Sequence, residues 1–433
     1  MTVGVAGAAS GLRGSLRVPG DKSVAHRALL LASLAEGTTH VRGLPAGADV
    51  RSTRRCLEAL GVLIRDEEGG VAVEGRAGTF AAPSRALDCG NSGTTMRLLA
   101  GILAARDLDV TLEGDESLRE RPMRRIADPL RSMGAQIDLR ENRAAPMRVR
   151  GSSSLRGISY DLPIPSAQLK SALLLAALGA HGTTTLGGAL RSRDHTERML
   201  PLFGAHLSAT ENTLVLDGPQ FLRAPQAVLH VPGDISSASY WIAAAAVVPE
   251  SRVTIEDVGL NPSRLGFIDV LQRMGASIEV HPRASNGAQH EGEPLGSVVV
   301  AGSPLRATTV HGAEVPALID ELPLLAVVAA FAEGTTTVVG AEELRVKESD
   351  RIEAVVRNGR AMGIEIDAFP DGFEVRGPAT LRAAQIDAMG DHRIAMAFAI
   401  AGLCAPAGTR ISGADSIEIS YPEFFSTLES LRG

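Results

Sequence analysis

A stretch that opens an apolar helix recurs six times along this chain, and a long-period repeat restricts the architecture more than any single motif or composition figure does. The helices start near Lys22, Ser92, Ser166, Ser236, Asp320 and Asp391, at intervals of roughly 70 to 85 residues. Each is rich in Ala and Leu. Four run into Gly-Thr punctuation and a β-branched strand, at Gly37-Thr38, Gly182-Thr183, Gly334-Thr335 and Gly408-Thr409. The strands at Val110-Thr111 and Val253-Thr254 lack the glycine. A second helix follows in each repeat and should stop at a glycine before an alternating strand: Gly61, Gly134, Gly204, Gly275 and Gly363. Each repeat thus reads as helix, strand, helix, strands. The last one breaks off after Tyr421-Pro422-Glu423-Phe424-Phe425 and its helix. The strand containing Ser15-Leu16-Arg17-Val18 has no helix before it, so it is expected to complete that last repeat.

The punctuation of Val18-Pro19-Gly20-Asp21-Lys22-Ser23 returns at Val231-Pro232-Gly233-Asp234-Ile235-Ser236, which divides the chain into two related halves. The expected domains are 1–20 with 234–433, discontinuous and holding both termini, and 21–233. The two crossings, near Gly20-Asp21 and Gly233-Asp234, would form a hinge beside an interdomain cleft, the usual place for a small ligand.

The repeated helix starts have a chemical meaning. Free backbone N–H groups and the helix dipole make each a small positive pole, and Lys22, Ser23 and Arg27 add two charges and a hydroxyl to the first. That suits an anion, above all a phosphate. The second start, Cys89-Gly90-Asn91-Ser92-Gly93-Thr94-Thr95-Met96-Arg97, brings close backbone approach and hydroxyl donors, and the third carries Ser166, Gln168, Lys170 and Ser171. Arginines gather at other helix starts: Arg119, Arg121, Arg124 and Arg125; Arg191 and Arg193; Arg345 and Arg351 with Lys347. Carboxylates for proton transfer are fewer, namely Asp320-Glu321, Glu348 and Asp391, and Asp320 and Asp391 could equally be plain N-caps.

Composition removes other classes. Aromatics are 3% of the chain and the net charge is −7, which disfavours stacking on nucleic-acid bases and a phosphate-backbone surface. Cys56, Cys89 and Cys404 match neither a disulfide framework nor a zinc ligand set, so a reducing cytoplasm is the expected compartment. No apolar run is long enough to span a bilayer, and no leader pattern opens the sequence. There is no Walker loop, dinucleotide fingerprint or Ser elbow, so neither cofactor nor metal is expected.

Taken together, Pro19-Gly20-Asp21-Lys22-Ser23 through His26-Arg27, Gly90-Asn91-Ser92-Gly93-Thr94-Thr95 with Arg97, Arg121-Pro122-Met123, Arg345 to Arg351, and Asp391-His392-Arg393 resemble the 3-phosphoshikimate 1-carboxyvinyltransferase (EPSP synthase) family of enolpyruvyl transferases, over essentially the whole chain. The resemblance implies an α/β fold of two similar domains, each of three βαβαββ units in an inside-out barrel-like arrangement. It implies transfer of the enolpyruvyl group of phosphoenolpyruvate to the 5-hydroxyl of shikimate 3-phosphate, through a tetrahedral intermediate, in aromatic amino acid biosynthesis by the shikimate pathway. It further implies no cofactor, no nucleic-acid or membrane partner, a monomer and a glyphosate target. By residue type, Lys22, Ser23, Arg27, Ser166, Ala167, Gln168, Arg193, Asp320 and Lys347 match a shikimate 3-phosphate set. Lys22, Asn91, Gly93, Arg121, Gln168, Arg351, His392 and Arg393 match a phosphoenolpyruvate set. Asp320 is the expected base at the hydroxyl with Lys22 beside it, and Glu348 the expected proton donor to the methylene.

Two positions depart from the pattern: Ala25, where many relatives carry Ser, and Ile419, where some place a Lys near phosphoenolpyruvate. Rival readings are the sister transferase that uses UDP-N-acetylglucosamine and a non-enzymatic anion-binding repeat protein. The first typically has a Cys in the loop before its Arg-Pro segment, and Glu113 to Glu120 contains none.

Overall fold

The computed structural model describes residues 1–7, 11–283 and 292–432. The chain forms two compact units. One, here the inserted unit, is Gly20–Pro232 together with the short segment ending at Glu293; the other, the terminal unit, is Met1–Pro19, Gly233–Ala284 and Pro294–Gly433.

In the inserted unit the helices are α1 (Lys22–Leu34), α2 (Ala48–Ala59), α3 (Gly93–Ala104), α4 (Glu116–Glu120), α5 (Arg124–Ser132), α6 (Ala167–Ala177) and α7 (His195–Met199). Helices α1, α3 and α6 are apolar around most of their circumference and are buried along nearly their whole length, as a helix without a polar face must be. Small residues let them approach closely: a Cβ at Gly101 in α3 would collide with the Ala172 carbonyl of α6. The second-type helices are amphipathic and cover the outside. They end where expected, with Gly61, Gly134 and Gly204 at φ of 85°, 113° and 79°, a left-handed conformation that glycine adopts without strain.

Three sheets enclose these helices. In each, the strand after the buried helix pairs parallel with a leading strand and antiparallel with a later one. Asp109–Glu113 lies parallel to Leu87–Asp88 and antiparallel to Ala144–Arg150. Gly182–Gly188 is flanked in the same way by Ser159–Leu162 and Leu214–Gly218. Ala35–Arg42 takes its parallel partners, Leu222–Arg223 and Leu229–His230, from the far end of the unit.

The terminal unit repeats the plan with α8 (Ile235–Val247), α9 (Gly266–Arg273), α10 (Leu322–Ala329), α11 (Arg351–Ala361), α12 (His392–Leu403) and α13 (Phe424–Leu431). Helices α8, α10 and α12 are the buried ones. Here the structure corrects the placement of the N-terminal strand. Arg13–Arg17 does not complete the last repeat; it pairs parallel with Arg252–Gly259 in the fourth, Leu16 opposite Ile255. The last repeat is completed by Thr2–Val5, antiparallel to Thr409–Ser412. The physical reason lies in the sheet plan: the strand just before α8, Leu229–His230, is already paired in the first repeat, so the fourth needs another parallel leading strand.

Among the described residues no helix is long and apolar enough to cross a membrane.

Candidate active site

The anion-binding candidates of the inserted unit lie at the N-termini of its buried helices. Asp21 caps α1 by accepting from Val24 N at 2.9 Å, Ser92 caps α3 and Ser166 caps α6. Arg27, one turn into α1, is buried and its guanidinium donates to Thr196 Oγ1 at 2.7 Å, Ser171 Oγ at 2.7 Å and the Ser23 carbonyl at 2.9 Å. Burial lowers its pKa to about 10, against the opposing pull of Glu197 and Asp21, and Arg193 lowers it further. Arg193 is therefore within electrostatic reach of Arg27. Lys22 Nζ sits 2.8 Å from Asp49 Oδ2, on the first turn of α2.

The α3 start is cross-braced. Arg97 NH1 donates to Gln168 Oε1 at 2.6 Å, and Gln168 Nε2 donates to Thr94 Oγ1 at 3.0 Å, tying the start of α3 to that of α6. Arg121 NH2 donates to Asn91 Oδ1 at 2.6 Å and its NH1 to the Asn91 carbonyl at 3.2 Å. Gly93 is the first residue of α3, and a Cβ there would lie 2.7 Å from Arg97 NH1 and 3.6 Å from Arg121 NH1. Ala167 opens α6. Lys22, Ser23 and Arg27 are thus grouped on α1, and Asn91, Gly93, Arg121 and Gln168 around α3 and α6.

The terminal unit assembles a different group, in which cations meet carboxylates. Arg351, the first residue of α11, is 1% exposed and donates from Nε to Asp391 Oδ2 at 2.7 Å and from NH2 to Glu348 Oε2 at 2.6 Å, with Asp320 Oδ1 3.4 Å from NH1. Arg393 places NH2 3.3 Å from Asp320 Oδ2 and NH1 3.7 Å from Glu321 Oε1. Burial opposes the charge on both guanidiniums, but Asp391 and Glu348 at Arg351, and Asp320 at Arg393, outweigh it and raise both pKa values. Burial likewise pushes the Asp391 carboxyl up, yet Arg351 holds it below its ordinary value. Lys347 is lowered by burial, with Glu343 and Asp320 opposing. His392 is buried beside Asp391.

The N-cap alternative separates the two aspartates. Asp391 does cap α12, accepting from Arg393 N at 2.9 Å, while also pairing with Arg351. Asp320 is not the N-cap residue of α10, which starts at Leu322 after Glu321, and its carboxylate pairs with Arg351 and Arg393. Ile419 is the last residue of the 3-10 turn Ala414–Ile419.

Two charged groups, Asp49 and Arg264, escaped the sequence reading, and so did the burial of Lys170, which the sequence placed at the start of α6. Asp49 resembles any acidic residue in a first helical turn. Lys170 is 2% exposed, 2.6 Å from Glu197 Oε1, and donates to the Leu190 and Ser192 carbonyls, which fixes the loop carrying Arg193. Arg264, 3% exposed, bonds Ser236 Oγ at 2.7 Å and Asp234 Oδ1 at 3.2 Å, and Ser236 in turn donates to Glu321. Burial is what sets the last two apart, and a Lys or Arg gives no sign of it in sequence.

The architecture is that of an enolpyruvyl transferase. The structure of NikO, an enolpyruvyl transferase from Streptomyces tendae, matches it with a TM-score of 0.79 over 98% of this chain and 96% of that one, at 19% identity, a likeness of fold alone. An EPSP synthase structure from Acinetobacter baumannii matches at a TM-score of 0.87 and 40% identity, over 99% of this chain and 98% of that one. The 3-phosphoshikimate 1-carboxyvinyltransferase of Synechococcus sp. (strain JA-3-3Ab) is 48% identical over 432 residues, 98% of this chain and 95% of its own. The family model for EPSP synthase (3-phosphoshikimate 1-carboxyvinyltransferase) covers residues 7–428, and the chain belongs to that family.

Proposed function

We propose that this protein transfers the enolpyruvyl group of phosphoenolpyruvate to the 5-hydroxyl of shikimate 3-phosphate and releases phosphate. The observation that carries the reading beyond family membership is the Asp320–Arg351–Arg393 cluster, a carboxylate held by two buried guanidiniums at helix starts. Lys22, Ser23, Arg27, Ser166, Ala167, Gln168, Arg193, Asp320 and Lys347 bind shikimate 3-phosphate in this reading. Lys22, Asn91, Gly93, Arg121, Gln168, Arg351, His392 and Arg393 bind phosphoenolpyruvate. Two phosphates and two carboxylates call for such a concentration of Arg, Lys and helix N-termini.

Asp320 takes the proton of the attacking hydroxyl as its oxygen bonds to C2 of phosphoenolpyruvate, and Glu348 gives a proton to C3, producing a tetrahedral intermediate. Collapse breaks the C2–O bond to phosphate, which leaves with the proton held by Asp320, and C3 returns its proton to Glu348. The ion pairs supply a trigger. An anionic substrate on Arg351 and Arg393 competes with Asp320 for them, so binding leaves that carboxylate less stabilised and more basic when the hydroxyl arrives. Lys22 serves as a charge-balancing cation in this reading, and the protein acts as a monomer in the cytoplasm.

The test is phosphate release from phosphoenolpyruvate with shikimate 3-phosphate and, separately, with UDP-N-acetylglucosamine. Release with the first alone supports the reading; release with the second, or with neither, overturns it.

A further inference from the structure

The inserted unit contains a buried chain of side-chain hydrogen bonds that the reaction scheme does not use. His26 Nδ1 lies 2.6 Å from Thr53 Oγ1, which lies 2.6 Å from Thr95 Oγ1, which donates to Ser92 Oγ at 2.7 Å. His26, Thr53 and Thr95 are fully buried and Ser92 is 1% exposed. The chain joins three helices: α1 with Lys22 and Arg27, α2 with Asp49, and α3 with Gly93 and Arg97.

Proton bookkeeping gives the chain a direction. Each hydroxyl has one hydrogen. The Thr95 hydrogen goes to Ser92 Oγ at 2.7 Å rather than to the Asp49 carbonyl at 3.5 Å, so Thr53 donates to Thr95, and Thr53 therefore receives the Nδ1–H of His26. This leaves His26 Nε2 as the bare nitrogen, and Nε2 is indeed the buried ring atom without a hydrogen-bond partner. The tautomer is thus assigned by the network. At the other end Ser92 Oγ accepts twice, from the Thr95 hydroxyl and from Thr95 N at 3.2 Å, so its own hydrogen is left to donate outward at the start of α3. The imidazole stays neutral: burial lowers its pKa to about 3, with Asp49 opposing and Lys22 and Arg27 reinforcing.

We propose that His26, Thr53 and Thr95 are positioning residues: their directional hydrogen-bond chain fixes the 90–94 loop against α1 and makes Ser92 a hydrogen-bond donor to the anionic group bound at the start of α3. This rests on the reading that phosphoenolpyruvate occupies that start. A merely structural chain would be equally satisfied with either polarity and would not favour one substrate.

The test compares substrates in steady-state kinetics. Thr53→Val keeps the shape and removes the relay hydroxyl; the KM for phosphoenolpyruvate is expected to rise about tenfold, as for one lost hydrogen bond to a charged group, with the KM for shikimate 3-phosphate and kcat little changed. Thr53→Ser should restore it, and so should His26→Asn, whose amide can supply the donor, whereas His26→Phe should not. Unselective losses, or no loss in Thr53→Val, overturn the proposal. If Thr53→Val does not fold, Ser92→Ala must show the same selective rise or the proposal falls. A second readout needs no substrate. In 15N-histidine spectra His26 should be a neutral Nδ1–H imidazole that does not titrate between about pH 5 and 9; an Nε2–H tautomer, or titration, overturns the direction. Wild-type enzyme inactive with shikimate 3-phosphate would instead sink the functional reading and leave the spectral test standing.

Discussion

The two units are built on one plan yet hold their cations differently. In the inserted unit Arg27, Arg97 and Arg121 donate to neutral oxygens of Thr196, Ser171, Gln168 and Asn91, while the carboxylates of Asp49 and Glu197 pair with the lysines Lys22 and Lys170. In the terminal unit Arg351 and Arg393 face Asp320, Glu321, Glu348 and Asp391. The first arrangement orients arginines through neutral groups. The second sets two guanidiniums among four carboxylates and gives proton-transfer groups a fixed, water-poor setting. One fold has thus been specialised twice by changing what sits opposite an arginine, which leads us to expect binding defects from changes in the inserted unit and chemical or stability defects from changes in the terminal unit.

The largest effect should come from Asp320→Asn, which lowers kcat about a thousandfold while shikimate 3-phosphate still binds; a variant retaining most of its turnover would remove the chemical half of the contrast. Next is Asp391→Asn, a substitution that keeps a good N-cap but strips the charge from a fully buried pair, at a cost of about 3 kcal/mol read as a lower thermal midpoint. Because Arg351 holds the Asp391 carboxyl below its unfolded value, this stabilisation is present above about pH 4 and is lost as pH falls through the folded value. The gap between wild type and variant should therefore narrow on acidification, and a gap that widens would refute the pairing argument.

Arg121→Met should raise the KM for phosphoenolpyruvate about thirtyfold with an unchanged thermal midpoint, as for a lost charge-assisted contact. Equal damage to stability would show that the inserted unit's arginines are structural after all. The smallest effect, and the one that sharpens the contrast most, is Gly93→Ala. Its methyl would press on Arg97 and narrow the space beside the α3 start. Inhibition by glyphosate should weaken about tenfold more than the KM for phosphoenolpyruvate rises; equal changes in steady-state kinetics would reject selective crowding.

Much of this was readable in the sequence because repeats carry their own check. Six similar helix starts and five glycine stops are hard to produce by chance, and the stops at Gly61, Gly134, Gly204, Gly275 and Gly363 all have positive φ. Strand exchange was not readable, since Arg13–Arg17 and Thr2–Val5 differ little as strands and only the pairing needs of distant sheets tell them apart. Nor was the pairing of charges. Asp320 and Asp391 look alike in sequence, each acidic beside a helix start, yet one caps and the other does not. Lys170, Arg264 and the His26 chain depend on burial among residues many positions away, which a local pattern cannot encode.

The exchanged strands bear on how the molecule is made. The Leu12 amide bonds Ser251, 239 residues later, and Thr2–Val5 waits for the still later Thr409–Ser412. The inserted unit's described strands can be paired once Leu229–His230 has emerged from the ribosome, whereas Thr2–Val5 and Arg13–Arg17, made before them, find their partners only after them. A polypeptide stalled midway would carry a finished half behind an orphaned, strand-forming leader, a segment open to capture by a chaperone or by a neighbouring nascent chain.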